Sequence, residues 1–206
     1  MVFTSSLRID EDKWNHVSVT INKRNNTVKF TKDHFQEELI DIAINSLSNN
    51  NSNIFIGYSD QSGSYFKGDI DNVSIYTSNV DYLNLEMKEG TFPVLNLKNI
   101  NTDVSGFGSS SSYVNSNVEN TTNQNGDSDS AFIFDAASHS KIIVDNSNYD
   151  GYTNKNITFS AWVNPDIVDF SSVLSNMPIL CKDLIVSNSK FEFGINTSGN
   201  IYASLL

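Results

Sequence analysis

A chain with one cysteine cannot close a disulfide within itself, so this fold must stand without a covalent staple. That residue, Cys181, lies in the apolar run Ile179-Leu180-Cys181 and reads as a small core residue. A catalytic thiol would need a nearby base, and this half of the sequence holds no histidine beyond His139. The other histidines, His16 and His34, are scattered, without the clustered spacing of a zinc site. Positive charge is also scarce: 13 Lys and Arg stand against 24 Asp and Glu, giving a net charge of −11. Nucleic-acid binding is therefore disfavoured, since phosphate contacts need clustered cations, and so is attraction to anionic membranes. No apolar run reaches the length of a membrane-spanning helix, so membrane insertion is not expected. The opening residues Met1-Val2-Phe3-Thr4-Ser5 lack the basic region and apolar run of a signal peptide, so in a secreted protein the signal would lie upstream. The chain ends inside the strand-like run Ala203-Ser204-Leu205-Leu206, as a truncated piece would.

What is present is alternation of apolar and polar residues. Val17, Val19 and Ile21 point one way while His16, Ser18 and Thr20 point the other. Val28 and Phe30 resume the pattern after Lys23-Arg24-Asn25-Asn26, which predicts a hairpin. Ile54 and Ile56 form a short strand ended by Gly57, and Ile70, Val73 and Ile75 mark another with an irregularity at Asp71-Asn72. Between Asn79 and Gly90 the period changes: Val80, Leu83 and Met87 sit at helical spacing and Gly90 closes the turn, which predicts a short helix at a boundary. Phe92 to Leu97 is a further strand. The stretch from Asn101 to Asp129 is rich in Asn, Ser, Gly and Asp and reads as one long loop. Alternation then returns in Phe132/Phe134, Ile142/Val144, Ile157/Phe159/Ala161/Val163, Phe191/Phe193/Ile195 and Ile201/Ala203/Leu205. Short strands with regular turn punctuation predict an all-β antiparallel sandwich or jelly roll.

The segment Lys13-Trp14-Asn15-His16-Val17-Ser18-Val19-Thr20, with Ile54-Phe55-Ile56-Gly57 and Phe66-Lys67-Gly68-Asp69-Ile70-Asp71-Asn72-Val73-Ser74-Ile75-Tyr76, resembles the closing half of a laminin G-like domain. Ser130-Ala131-Phe132-Ile133-Phe134-Asp135 and Ile157-Thr158-Phe159-Ser160-Ala161-Trp162-Val163 resemble its opening half, and Asp103-Val104-Ser105-Gly106-Phe107-Gly108 resembles the loop that precedes it. The family belongs to the concanavalin A-like lectin/glucanase superfamily. The resemblance covers nearly the whole chain, with one departure: Asp135 is followed by Ala136-Ala137 where the family often has Asp-Gly. It implies a concanavalin A-like sandwich whose halves come in permuted order, residues 1–90 the C-terminal half and 91–206 the N-terminal half. Either the two pack as one permuted sandwich or the chain is cut from a tandem array.

By the same resemblance the chain is expected to be a non-catalytic carbohydrate- or protein-binding or adhesion module of a larger extracellular or cell-surface protein, with a glycan or an extracellular protein as partner. Family members often hold a structural calcium ion at the sandwich rim, and Asp69, Asp71 and Asp135 are the candidate ligands. The plainer reading has Asp69 facing solvent and Asp71 capping a turn. Tyr58, Asp60, Tyr65 and Phe66, around the loop Ser59 to Ser64, are the candidate ligand-binding residues, because rigid scaffolds place recognition on such loops. Trp14 and Trp162 read as packing residues within strand motifs, although such rings also stack on sugars. Two alternatives stand beside the binding module: a structural spacer repeat without a ligand, and a glycoside hydrolase remnant. The hydrolase needs two carboxylates facing one sugar; Asp69 and Asp71 share a strand face, but no Glu accompanies them.

Overall fold

A computed structural model of the chain describes residues 1–41, 53–59, 62–76, 95–99, 102–103, 113–144, 156–167, 170, 173–182 and 191–205. Eighteen strands run through them. In the first part these are β1 (Val2–Arg8), β2 (Asn15–Asn22), β3 (Thr27–Lys32), β4 (Phe35–Leu39), β5 (Ile54–Ile56), β6 (Tyr58–Ser59), β7 (Ser64–Tyr65) and β8 (Gly68–Tyr76). Then follow β9 (Leu95–Asn99), β10 (Thr102–Asp103), β11 (Tyr113–Ser116), β12 (Glu119–Thr121), β13 (Ala131–Phe134) and β14 (Lys141–Val144). The last are β15 (Ile157–Pro165), β16 (Met177–Lys182), β17 (Phe191–Ile195) and β18 (Asn200–Leu205).

They form two stacked antiparallel sheets and a small hairpin. The smaller sheet has the order β1-β18-β17-β16-β5-β14-β11. The larger has the path β10-β9-β8-β15-β2-β3-β4, with β13 on β8 and β12 on β13, and β6 pairs only with β7. The layers follow from the alternation. Val17, Val19 and Ile21 of β2, Phe159, Ala161 and Val163 of β15, and Ile70, Val73 and Ile75 of β8 all turn inward, where Phe191, Phe193 and Ile195 of the smaller sheet meet them in one buried cluster. This is an antiparallel β-sandwich, consistent with the concanavalin A-like fold that the resemblance implies.

Strands from both parts of the chain alternate within each sheet. β15 lies between β8 and β2, and Phe159 stands directly across from Val19 on one side and Ile75 on the other. β5 lies between β14 and β16, and β1 pairs with β18, Phe3 opposite Ala203. A backbone strand left unpaired at such a position would expose its whole row of donors and acceptors. Each part therefore fills sheet positions that the other leaves open.

Local expectations meet the structure in detail. The turn after β2 brings β3 back in register, Asn26 adopting φ 53° and the Asn22 carboxamide oxygen accepting from the Asn25 N–H. The irregularity at Asp71-Asn72 is a shift in the β8–β15 register with Asn72 at φ 49°. The expectation of one long loop over Asn101 to Asp129 is overturned: β10, β11 and β12 lie within it. β11 pairs with β14 and β12 with β13, and Val118 between them is buried in the core. The strand expected from Phe92 is found as Leu95–Asn99, and the helix expected between Asn79 and Gly90 lies outside the described residues.

Candidate functional site

The hairpin β6–β7 is the one element among the described strands that belongs to neither large sheet. The chain leaves β5 at Gly57, whose φ of 74° and lack of a side chain are both needed: a Cβ there would stand 2.3 Å from the Phe134 ring. The Gly57 N–H donates to the Ile179 carbonyl at 3.0 Å, and the Phe66 N–H closes the hairpin onto the Gly57 carbonyl at 2.9 Å. The hairpin thus lies over the outer face of the smaller sheet, above β16.

Beneath it sits a buried carboxylate. Glu192 of β17 is 7% exposed; its two oxygens accept from the Ser59 hydroxyl of the hairpin and the Tyr202 hydroxyl of β18. A buried charge is tolerated where hydrogen bonds replace its hydration. Burial, and then the neighbouring Glu192 charge, push the Tyr202 phenol far above its ordinary value, so it remains a donor. Cys181, across from Glu192, is buried, as expected for a packing residue. We expect Tyr202→Phe to cost about 2 kcal/mol, because it takes one donor from a buried carboxylate. Hydrogen exchange at the Gly57 and Phe66 amides should accelerate while that of β2 changes little; equal acceleration everywhere would count against a local clamp.

Above the clamp the hairpin presents rings. Tyr58 and Tyr65 are half-buried with centroids 4.7 Å apart. Phe55 meets Tyr58 edge-on at 5.6 Å, and His139 lies 4.9 Å from Tyr65. The Lys141 ammonium sits 4.6 Å from the Tyr58 ring centroid. His139, exposed and at φ 58°, ends the tight turn between β13 and β14. Asp135 builds that turn, its carboxylate accepting from the Ala137 N–H at 3.0 Å and the Ser138 hydroxyl at 2.5 Å. Those bonds, the Ser138 one first, hold its carboxyl below the usual range.

Of the residues expected to bind ligand, the structure brings Tyr58 and Tyr65 together and places Phe55, His139 and Lys141 beside them. Phe66 is corrected: it is 0% exposed, edge-on to Phe134 at 6.3 Å, and belongs to the core. Asp60 lies outside the described residues.

The three aspartates expected to bind metal do not converge. Asp69 and Asp135 line a rim cleft of about 360 Å³ with Asp12, Lys67, Asn164 and Asp166, whereas Asp71 is absent from its lining. Asp71 is 1% exposed, and its carboxylate accepts from the Asn72 N–H at 2.6 Å and carboxamide at 3.1 Å, within the irregularity of β8 rather than at a turn. Asp135 is committed to its own turn. Asp69, its carboxyl raised by burial, accepts from the Asn164 carboxamide at 3.1 Å. Calcium takes six to eight oxygens, and among the described residues no three acidic, His or Cys side chains are placed to hold one ion. The three therefore do not line one cleft.

Trp14 and Trp162 are half-buried rather than in the core; Trp162 faces outward on β15, its ring 5.2 Å from that of His16. The same outward face carries Asp71 across from Trp162, too enclosed to be presented to a sugar as the hydrolase reading requires.

In the larger sheet β15 is central, with β8 and β2 on either side of it. Residues 2–81 match the laminin G-like family of the concanavalin A-like lectin/glucanases superfamily. The matched segment runs from β1 through β8 and includes Phe55, Tyr58 and Tyr65, whereas His139 and Lys141 come from the rest of the chain. Laminin G-like domains are generally non-catalytic and commonly bind glycans or proteins. No curated protein matches the chain. No helix among the described residues is long and apolar enough to cross a membrane.

Proposed function

We propose that the protein is a non-catalytic carbohydrate- or protein-binding module of a larger extracellular protein, that it engages its ligand through the hairpin β6–β7, and that residues 1–90 and 91–206 complete one another as a single permuted sandwich. The observation that carries the reading is the pair Tyr58 and Tyr65: two partly exposed rings, 4.7 Å apart, on a hairpin that a buried carboxylate pins to a rigid sheet. Rigid aromatic faces lose little entropy on contact and suit the apolar face of a sugar or a flat protein surface. The laminin G-like match supports the binding class. A spacer repeat would have no use for partly exposed tyrosines over a buried clamp.

The test is a glycan array and a surface-protein panel probed with the whole chain and with Tyr65→Ala. We expect a ligand signal that falls at least about tenfold in the variant, since an aromatic anchor at the centre of a contact is worth 2 kcal/mol or more. Binding unchanged by Tyr65→Ala would move the site elsewhere, and silence across both panels would favour the spacer.

A further inference from the structure

We infer that Asn125 is a site of spontaneous covalent modification, converting to aspartate and isoaspartate with loss of ammonia, and that Asn123 sets the rate by holding the surrounding turn closed. Asparagines run through the whole sequence, but only Asn125 is followed by glycine. The reaction favours that neighbour. The backbone nitrogen of the next residue must reach the side-chain carbonyl carbon, and glycine has no Cβ to obstruct the approach. The structure places the pair in the turn between β12 and β13, with both residues exposed. Gly126 has φ 87°, and a Cβ there would meet nothing within 4 Å, so water and solvent bases reach the turn.

The step balances with the chain and water alone. The Gly126 nitrogen loses its proton to a solvent base and attacks Asn125 Cγ. The bond from Cγ to the carboxamide nitrogen breaks, and that nitrogen takes a proton from solvent and leaves as ammonia. The cyclic imide then takes up one water at either of its two carbonyls. Opening at one gives aspartate. Opening at the other gives isoaspartate, whose main chain runs through the side-chain carbon. Nothing is oxidised or reduced.

Asn123 opposes the attack. Its carbonyl accepts from the Gly126 N–H at 3.0 Å, so the attacking nitrogen is engaged elsewhere. Its carboxamide oxygen accepts from the Asn125 N–H at 2.9 Å and the Asp127 N–H at 3.0 Å, and its carboxamide nitrogen donates to the Asp127 carboxylate at 3.2 Å. Its own N–H donates to the Asp127 carbonyl at 3.0 Å. One residue thus fixes the backbone on both sides of the reacting pair. The imide closes only after the Gly126 N–H leaves the Asn123 carbonyl, so the observed rate is the intrinsic rate multiplied by the fraction of open turns. The product matters to the fold. Isoaspartate lengthens the main chain inside the turn, and among the described residues β12 pairs with β13 alone.

The experiment incubates the full chain at mildly alkaline pH, folded and in urea, and follows each peptide by mass spectrometry after digestion. The reading is the mass gain of an amide-to-acid exchange, with isoaspartate identified by its fragmentation. Asp150-Gly151 rearranges without a change of mass, so this reading reports asparagine alone. We expect Asn125 to react before every other asparagine, faster as pH rises, and to react more slowly in the folded chain than in urea. Asn123→Ala removes two bonds to backbone amides and should speed the folded reaction about tenfold, with the rate in urea unchanged. Asn123→Ser, which keeps a shorter acceptor, should fall between. Asn125→Gln should abolish the gain in that peptide. A folded chain that gains mass first at another asparagine, or none at Asn125, would overturn the site. Equal rates in folded wild type, folded Asn123→Ala and urea would overturn the control by Asn123 and leave the site standing.

Discussion

Replacing Phe159 with alanine is expected to destabilise the whole chain by about 3–5 kcal/mol, the usual cost of emptying a large aromatic site in a packed core. Phe159 is 5% exposed at the middle of β15, and its ring stacks on that of Phe191 at 3.9 Å and 15°, so one side chain ties the larger sheet to the smaller. Its strand neighbours, Val19 and Ile75, both come from the other part of the chain. A loss of this size is a large share of the 5–15 kcal/mol by which a domain is stable. In a chain of this length it lowers the melting temperature by on the order of 10 °C. Near-ultraviolet circular dichroism would follow the melt, with Ile133→Ala as control because Ile133 is 41% exposed on the outer face. The result we expect is one cooperative transition, displaced as a unit. Two transitions, only one of them displaced by Phe159→Ala, would mean that residues 1–90 and 91–206 fold separately and that the permuted sandwich is the wrong reading.

That sandwich was visible in the sequence wherever one face of a strand is buried. Val17, Val19 and Ile21, or Ile157, Phe159, Ala161 and Val163, carry the period of two in their side chains, and the side chains do the packing. β11 and β12 do not carry it. They are held by backbone pairing at the flanks of β14 and β13, and backbone groups are the same in every sequence. The inward place of Phe66 is legible in the sequence. Phe66 follows Tyr65 directly, and neighbours on an extended chain face opposite ways, so a ligand-facing Tyr65 implies an inward Phe66. The rest of the site was not legible. Glu192 reads as an isolated charge between two core residues; its meaning appears only when Ser59, 133 residues away, is laid over it. His139 and Lys141 join the two tyrosines because β14 pairs with β5, a long-range register that no local pattern encodes. Asp69, Asp71 and Asp135 have the oxygen chemistry a hard cation wants, but hydrogen bonds hold Asp71 at the irregularity of β8 and Asp135 in the turn after β13.

Acid should weaken the fold through His16. Its ring is packed against Trp162 with centroids 5.2 Å apart, and burial pushes its pKa down to about 4, the nearby Asp33 carboxylate opposing only part of that effect. In the unfolded chain the same imidazole titrates near 6.5. Below that pH the unfolded state takes up a proton that the folded state refuses, so stability falls as pH drops from about 6.5 to about 4 and then levels off. The full difference is about 3 kcal/mol. Two other groups act in the opposite direction. Asp69, its carboxyl raised by burial, is relieved when protonated, and acid also discharges an over-acidic surface. A single pH-stability curve therefore mixes signs. The difference between the wild-type protein and His16→Gln, measured by urea unfolding at a series of pH values, isolates the histidine. We expect that difference to shrink by about 3 kcal/mol between pH 6.5 and 4, and the His16 ring protons to titrate near 4 in NMR spectra. A difference that stays constant with pH, or a ring that titrates near 6.5 in the folded protein, would mean that the imidazole is solvated and that its contact with Trp162 carries no electrostatic cost.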